Sequence, residues 1–464
     1  MNDAAPRLSP RRSEHALQLI GLLGFAALVA CVSPDLKTGL TPSKERFSEI
    51  KSSVGDLRGL AVKRDFGIES RPLDKFPVTA STDDGDDVGS LPIAQLEHAY
   101  KQLGLLGASD DFTVAREKYR RLERLIYYDS ATDRLLIATD AGALGARLTA
   151  PYTRATTELP VAMGIVYALQ EQHFQWQEKI NRTNIEDARL AYRAIAGGDA
   201  LLTALAHASN GTLSAPGHLA AARQVSLQLA RLASDLPPFL RSQLILPLVE
   251  GSDFVAWAAK VKGRDGLNAL YANPPYAMAQ ILHPEKYYLV AQTPQRFFPA
   301  GLIRRMEMPA LFEQSIGEYL LRGLLETENS QAASSQIAAG WRGDQLFSFA
   351  DNGFQTIAWY TAWDSPAEAA AFQRAFQTVV EKRQRLRLGR SAGEDGEMFV
   401  TNTQYRGSFA LARKDNLVLY LVTSTARLAA TVEAAWTDLL VESEPEVLRF
   451  DFARGPAQLS LIKR

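Results

Sequence analysis

The residues of this chain best suited to chemistry lie in two neighbouring stretches. Ala168-Leu169-Gln170-Glu171-Gln172-His173-Phe174 carries an imidazole, and Gly198-Asp199-Ala200 carries a carboxylate. An imidazole can hold a metal ion or pass a proton near neutral pH, and a carboxylate can orient it. Asp199 has no histidine at a recognisable spacing, so its expected role is a hydrogen bond or cap within a helical core. His173, His207 and His283 are expected to bond neighbouring backbone or a carboxylate, the usual use of a helix histidine. Met163, Tyr167 and Phe174 share one helical stripe and, with His173 and Asp199, mark a candidate pocket. Apolar stripes at this spacing are usually core, which favours a filled, collapsed cleft over an open one.

Three other patterns carry less. Gly389-Arg390-Ser391-Ala392-Gly393 has the spacing of a serine nucleophile elbow, but a basic helix end precedes it and Glu394-Asp395-Gly396-Glu397 follows. An elbow needs a buried strand before the serine and a helix after it, so a solvated loop is expected. Asp83-Asp84-Gly85-Asp86-Asp87 lacks the spacing of a calcium loop, with Ala94 where the closing glutamate would fall. Lys382, Arg383, Arg385, Arg387 and Arg390 form a basic cluster that reads as a solvated helix end.

The elements that would position these residues follow from periodicity. Residues 158–176 read as a helix, with Pro160 in its first turn and Thr157 as its cap. Asn184 is placed to cap a second helix carrying Ile185, Ala188, Ala191 and Ile195. Ahead of the pair come a short helix at 44–52, helices at 91–107 and 112–124, and hairpin strands at 125–128 and 134–138. Helical spacing returns at 219–233, 238–249, 252–261 and 277–282. The last part alternates: strands at 345–350 and 355–362 flank Asp351-Asn352-Gly353, a helix spans 366–387, and strands at 405–412 and 417–423 flank Lys414-Asp415-Asn416. A further helix is expected at 427–440. This order predicts an α+β fold, with a mainly helical core and a C-terminal α+β unit.

The two central helices resemble those of secreted zincin metallopeptidases, and one prokaryotic branch in particular. That branch reads H-E-x-x-H-A-L-Q-D-Q-H-F on the first helix and E-G-D-A on the second. Residues 168–174 match the tail of the first motif, and Gly198-Asp199-Ala200 matches the end of the second. Gln280-Ile281-Leu282-His283-Pro284-Glu285-Lys286-Tyr287, Gly340-Trp341-Arg342-Gly343-Asp344, Trp359, Trp363-Asp364-Ser365 and Phe372 extend the resemblance over residues 91–385. The catalytic positions depart from it. Met163 and Tyr167 stand where the family has its zinc histidines, Gly164 where it has the catalytic glutamate, and Gly197 where it has the third ligand. A thioether and a phenol are poor zinc ligands, and glycine offers no side chain. His173 lies six positions after Tyr167, round the helix from the ligand stripe. The resemblance therefore implies a zincin-like fold with its site lost and no cofactor.

Residues 1–31 have the pattern of a processed leader. Arg7, Arg11 and Arg12 precede an apolar run from Ala16 to Ala30. Leu28-Val29-Ala30-Cys31 resembles a bacterial lipobox, which implies a signal peptide of residues 1–30 and lipidation of Cys31, the chain's single cysteine. Val32 rather than aspartate after the lipid cysteine implies sorting to the outer membrane, facing the periplasm. Residues 31–90 would then be a tether, 91–330 the zincin-like domain and 331–464 the C-terminal unit. A net charge of −1 over 464 residues argues against a nucleic-acid partner, and 46% hydrophobic residues argue against disorder. Two functions stay open: a lipid-anchored, catalytically inactive binding or scaffold component of the cell envelope, with the membrane and an envelope protein as partners; or a divergent metallopeptidase or other hydrolase with an unrecognised site.

Overall fold

The computed structural model describes residues 40–76, 93–183, 185–211, 216–307, 309–351, 353–393, 396–403, 407–424, 427–443 and 447–448. Cys31, the acidic tract 83–87 and Asn184 lie outside them. The fold is α+β, as expected. The helical body contains α1 (Lys44–Arg58), α2 (Ile93–Leu103), α3 (Phe112–Glu123), α4 (Ala155–Phe174), α5 (Glu186–Ser209), α6 (His218–Leu232), α7 (Pro238–Ile245) and α8 (Glu250–Ala272). A small sheet joins it: β1 (Gly67–Arg71) runs parallel to β3 (Arg134–Ala138), which pairs with β2 (Ile126–Asp129) as a hairpin. Among the described residues no helix is long and apolar enough to cross a membrane.

The helices α4 and α5 form the centre. Both are buried over most of their length, so neither has a free polar face to point at water. The helix α4 starts at Ala155, earlier than its proline indicated, and Pro160 lies inside it. Thr157 does not cap the end; its hydroxyl donates back to the Arg154 carbonyl at 3.4 Å. Gln175 takes a left-handed conformation (φ 53°) that ends α4 and turns Trp176 into a separate short helix, Trp176–Asn181. The helices α5 and α8 cross closely: a Cβ on Gly198 would lie 2.3 Å from the Gly251 backbone, and one on Gly251 would lie 2.0 Å from the Ala194 carbonyl oxygen.

The C-terminal unit begins earlier than residue 331. The strands β4 (Val290–Ala291), β5 (Arg296–Pro299) and β6 (Phe312–Gln314) already belong to it. A seven-stranded antiparallel sheet runs β6-β7-β8-β12-β11-β10-β9, from β7 (Trp341–Asp351), β8 (Phe354–Trp363), β9 (Gly389–Gly393), β10 (Gly396–Thr403), β11 (Gly407–Lys414) and β12 (Leu417–Thr423). Both faces are covered, which is why β8 and β12 read as nearly continuous apolar runs. Ile357, Trp359, Trp363, Val418 and Tyr420 face the main core with α10 (Pro366–Gln384); Ala358, Tyr360, Ala362, Leu419 and Leu421 face a second core. That second core includes Ala435 of α11 (Leu428–Trp436), Leu302, and Phe297, whose strand β5 pairs with β13 (Leu439–Glu442). The last pair is β4 with β14 (Val447–Leu448). Ser365 caps α10 by accepting from the Glu368 amide at 3.2 Å.

The two halves meet at buried acids. Asp344 accepts from the indoles of Trp341 (3.2 Å) and Trp359 (2.8 Å), the Ser315 hydroxyl (3.0 Å) and the amides of Ile316 (2.8 Å) and Gly317 (2.9 Å). These bonds fix the turn that opens α9 (Gly317–Glu326). Gly317 (φ 76°) leaves room for Asp187 of α5, whose Oδ1 would stand 2.1 Å from a Cβ placed there. Asp187 Oδ2 accepts from the Met278 amide at 3.2 Å. Burial, reinforced by the charges of Asp344 and Glu318, pushes the Asp187 carboxyl well above the usual carboxylate range.

A proton held by Asp187 in the folded state and not in the unfolded one gives the pH dependence its sign. Stability from this group is present below about pH 4, the ordinary value for an aspartate, and is lost as pH rises towards the raised folded value. Asp187→Asn removes that loss. Between pH 4 and 8, the midpoint temperature of Asp187→Asn should rise relative to that of the parent; a constant offset across the range would rule this out.

Candidate functional site

A cavity of about 390 Å³ lies between α3, α4 and α5, with β2 and α7 among its walls. Met163, Tyr167 and Gly197 line it. The expectation of a filled cleft is therefore corrected: the stripe on α4 is core over part of its width only. Met163 is 2% exposed, and neither it nor Tyr167 reaches far enough to occupy the space between α3 and α5. The Tyr167 hydroxyl makes no hydrogen bond among the described residues. Burial, with the Asp199 charge adding to it, pushes its pKa up to about 12, so it faces the cavity as a neutral phenol.

At Gly164 and Gly197 a neighbouring element takes the space of a side chain. A Cβ on Gly164 would stand 2.4 Å from Leu135 Cδ1 and 3.1 Å from Ile126 Cγ2, so the hairpin β2–β3 packs directly on the backbone of α4 there. A Cβ on Gly197 would stand 2.4 Å from Pro247 Cβ. Each glycine lets a neighbouring element occupy the volume a side chain would need.

His173, Phe174 and Asp199 are not among the residues that line the cavity. His173 donates through Nε2 to the Ala61 carbonyl at 2.7 Å. Phe174 stacks on Tyr271 with ring centroids 4.4 Å apart. Asp199 is 1% exposed and accepts from Arg58 Nε through both oxygens (2.8 and 2.9 Å), from Tyr271 Oη (2.7 Å) and from Gln170 Nε2 (3.2 Å). Burial works against the Arg58 charge, but Asp199 and Tyr271 outweigh it and hold the guanidinium above its usual pKa. His207 lies between Ser53 Oγ (2.9 Å) and Glu158 Oε2 (2.8 Å), and burial lowers its pKa. His283 meets Glu318 Oε1 at 2.7 Å.

The polar residues of the cavity are ones that motif spacing did not single out. On α5, Glu186, Arg189 and Arg193 recur at helical spacing on the face that also presents Gly197. Across from them α3 presents Arg116, Tyr119, Arg120 and Glu123. Arg193 Nη1 bridges the two helices, 2.6 Å from Glu123 Oε1 and 3.1 Å from Tyr119 Oη. Burial would weaken its charge; Glu123, Tyr119 and Glu186 reverse this and hold it protonated. Arg189 meets Glu186 at 3.5 Å, and its Nε is buried with no acceptor. A reading of polar residues at i, i+3 and i+7 within the second helix was the signal available for them.

Among the described residues no group of three or more His, Cys, Asp or Glu is placed to hold a metal ion. Ser391 lies on β9, opposite Met398 of β10, so the elbow-like motif is an edge strand and not the loop expected. Of the basic cluster, Lys382 pairs with Glu328 (3.0 Å), Arg387 with Glu381 (2.9 Å), and Arg383 donates to the Gly104 carbonyl (3.1 Å).

A family model described as "Domain of unknown function (DUF8575)" matches residues 306–433, the segment carrying the seven-stranded sheet up to α11. No curated protein and no solved structure matches the chain.

The filled positions have a mutational signature. Gly164→Ala should destabilise the protein by about 1–3 kcal/mol in denaturant unfolding, the usual cost of overpacking a core. Pairing it with Leu135→Ala should cost less than the sum of the two single changes. Strict additivity would show that Leu135 does not press on this position.

Proposed function

We propose that the protein is a lipid-anchored component of the bacterial cell envelope, of zincin-like descent, that binds a ligand in its central cavity and does not cleave peptides. The observation that carries this reading is the cavity itself. Its lining includes Met163, Tyr167 and Gly197, the positions at which the resembled family would carry its zinc ligands. The positions of the zinc ligands hold Met163, Tyr167 and Gly197, none with an imidazole or carboxylate to offer. The position of the catalytic base, Gly164, is turned towards Leu135 and packed against it. A carboxylate restored there would have to displace the hairpin before it could accept a proton from bound water.

Anchoring through Cys31 would place this cavity near a membrane surface. The first described residue, Leu40, is nine residues further along the chain. Nine residues span at most about 30 Å when extended, so the helical body would be held close to the bilayer.

Two measurements test the reading. Purified protein should contain far less than one equivalent of zinc and show no chelator-sensitive peptidase activity. Stoichiometric zinc with chelator-sensitive proteolysis would overturn it. In cells, Cys31→Ser should abolish incorporation of a labelled fatty acid and leave an unprocessed precursor; normal lipidation of that variant would remove the anchor from the proposal.

A further inference from the structure

The wall of the cavity has no charge to spare. Six arginines line it, Arg116, Arg120, Arg121, Arg124, Arg189 and Arg193, and each already has a partner. Arg193 holds Glu123 at 2.6 Å, Arg189 meets Glu186 at 3.5 Å, and Arg121 pairs with Glu117 one turn back on α3. Arg124 lies over the Tyr127 ring, 5.4 Å from its centroid. An anion entering the cavity would have to take a guanidinium from its glutamate, and a cation a glutamate from its guanidinium. The Arg193–Glu123 pair is half-buried, so breaking it leaves a charge with little water to replace the partner. The uncharged polar side chains are engaged in the same manner. Gln170 donates to the Ala196 carbonyl (3.1 Å), Gln177 to the Tyr128 carbonyl (2.9 Å) and Ser315 to Asp344 (3.0 Å), while Gln314 accepts from Tyr100 (2.9 Å). What remains for a ligand is apolar surface: Leu122 of α3, Met163 of α4, and Phe239, Leu240 and Leu244 of α7.

We infer that the cavity binds a neutral, chiefly apolar molecule, held by contact with the side chains of α3, α4 and α7 and by no ion pair. Small-molecule sites are typically concave and mostly apolar, and a volume of 390 Å³ falls within their usual span of roughly 300–1,000 Å³. The driving force is removal of apolar surface from water, and a wall whose polar groups are already bonded sets no desolvation cost against it. At about 30 Å³ for each water-sized group, the cavity holds about a dozen groups, close to the size of dodecan-1-ol. Binding is reversible and involves no covalent step. The inference rests on reading the cavity as a non-catalytic binding site.

The test titrates the full chain by calorimetry with dodecan-1-ol, dodecanoate and dodecylammonium, the two ions below their micelle concentrations. The alcohol should bind one to one, with a negative heat-capacity change and at least tenfold tighter than either ion, and its affinity should hold as salt is raised. From hexan-1-ol upward each added CH₂ should tighten binding about three- to fourfold, levelling off by tetradecan-1-ol as the cavity fills. Met163→Trp and Leu240→Trp, which fill the cavity from α4 and from α7, should each weaken the alcohol at least tenfold. The chain-length series needs no variant, so it decides the matter even where a tryptophan prevents folding. Either ion binding as tightly as the alcohol, absence of alcohol binding, affinity that climbs past tetradecan-1-ol, or binding that survives both folded tryptophan variants would each overturn the inference. Zinc analysis of the same preparation separates the two failures: zinc-loaded, proteolytic protein defeats the non-catalytic reading, whereas zinc-free protein that ignores the alcohols defeats the ligand class alone.

Discussion

Asp199 sits where four helices converge, and how its charge is satisfied sets which side of α5 faces the cavity. Arg58 reaches it from α1, Gln170 from α4 and Tyr271 from α8, while Asp199 itself belongs to α5. Arg58 and Asp199 are both essentially without solvent contact. Removing two charges from water costs several kcal/mol for each ion, and attraction repays it only when the remaining polar atoms are also bonded. Here Asn268 takes Arg58 Nη1 at 2.9 Å and Thr203 approaches Asp199 at 3.5 Å, although Arg58 Nη2 is left over. An arrangement this costly to disrupt fixes the rotation of α5 about its axis. That rotation decides which residues of α5 look into the cavity: with Asp199 turned to α1 and α8, Arg189, Arg193 and Gly197 are turned to α3 and α4.

Gly164 and Gly197 let neighbouring elements come up against the helix backbone. At Gly164 the hairpin β2–β3 packs on the backbone of α4, and at Gly197 Pro247 packs on that of α5. Contact between packed atoms is what makes such approaches favourable, since an empty site would forfeit dispersion attraction on both sides. Between these two points the cavity persists, because a tyrosine and a methionine on α4 are held by their own neighbours and the bridge from Arg193 to Glu123 and Tyr119 holds α3 at a distance. A collapsed cleft would have to bury that bridge more deeply without adding partners to it. The space is thus maintained by electrostatics on one side and packing on the other.

Much of the fold could be read from periodicity. The helices α2, α3, α6 and α7 and the hairpin β2–β3 fall within a few residues of their expected spans. Three kinds of feature escaped. Pro160 in the first turn pointed to a helix start at residue 158, yet α4 begins three residues earlier, at Ala155, because tertiary packing outweighs the local cost of a proline in the second turn. The strands β9 and β10 were hidden by glycine and acidic residues that carry no alternation. The bond between Arg58 and Asp199 spans 141 positions, and no local pattern announces it. The open cavity escaped for a related reason. A stripe on α4 tells which side faces inward, but only α3 and α5 determine whether anything arrives to fill it.

The sheet matched by the family model reaches the cavity through Gln314, the last residue of its edge strand β6, and supports the turn that follows. Asp344 of β7 holds Ser315, Ile316 and Gly317 through three of its five hydrogen bonds, and Ser315 and Ile316 line the cavity together with Gln314 and Leu320. Gln314 in turn accepts from Tyr100 of α2, another lining residue, at 2.9 Å. A displacement of the sheet would therefore carry this wall with it, and a ligand in the cavity would touch both halves at once. The match to residues 306–433 covers one side of the site, while the arginines of α3 and α5 and the stripe of α4 come from outside it. A chain that shared only this sheet would share the scaffold behind the cavity without the side chains that give it charge, so ligand choice must be sought in the helical body.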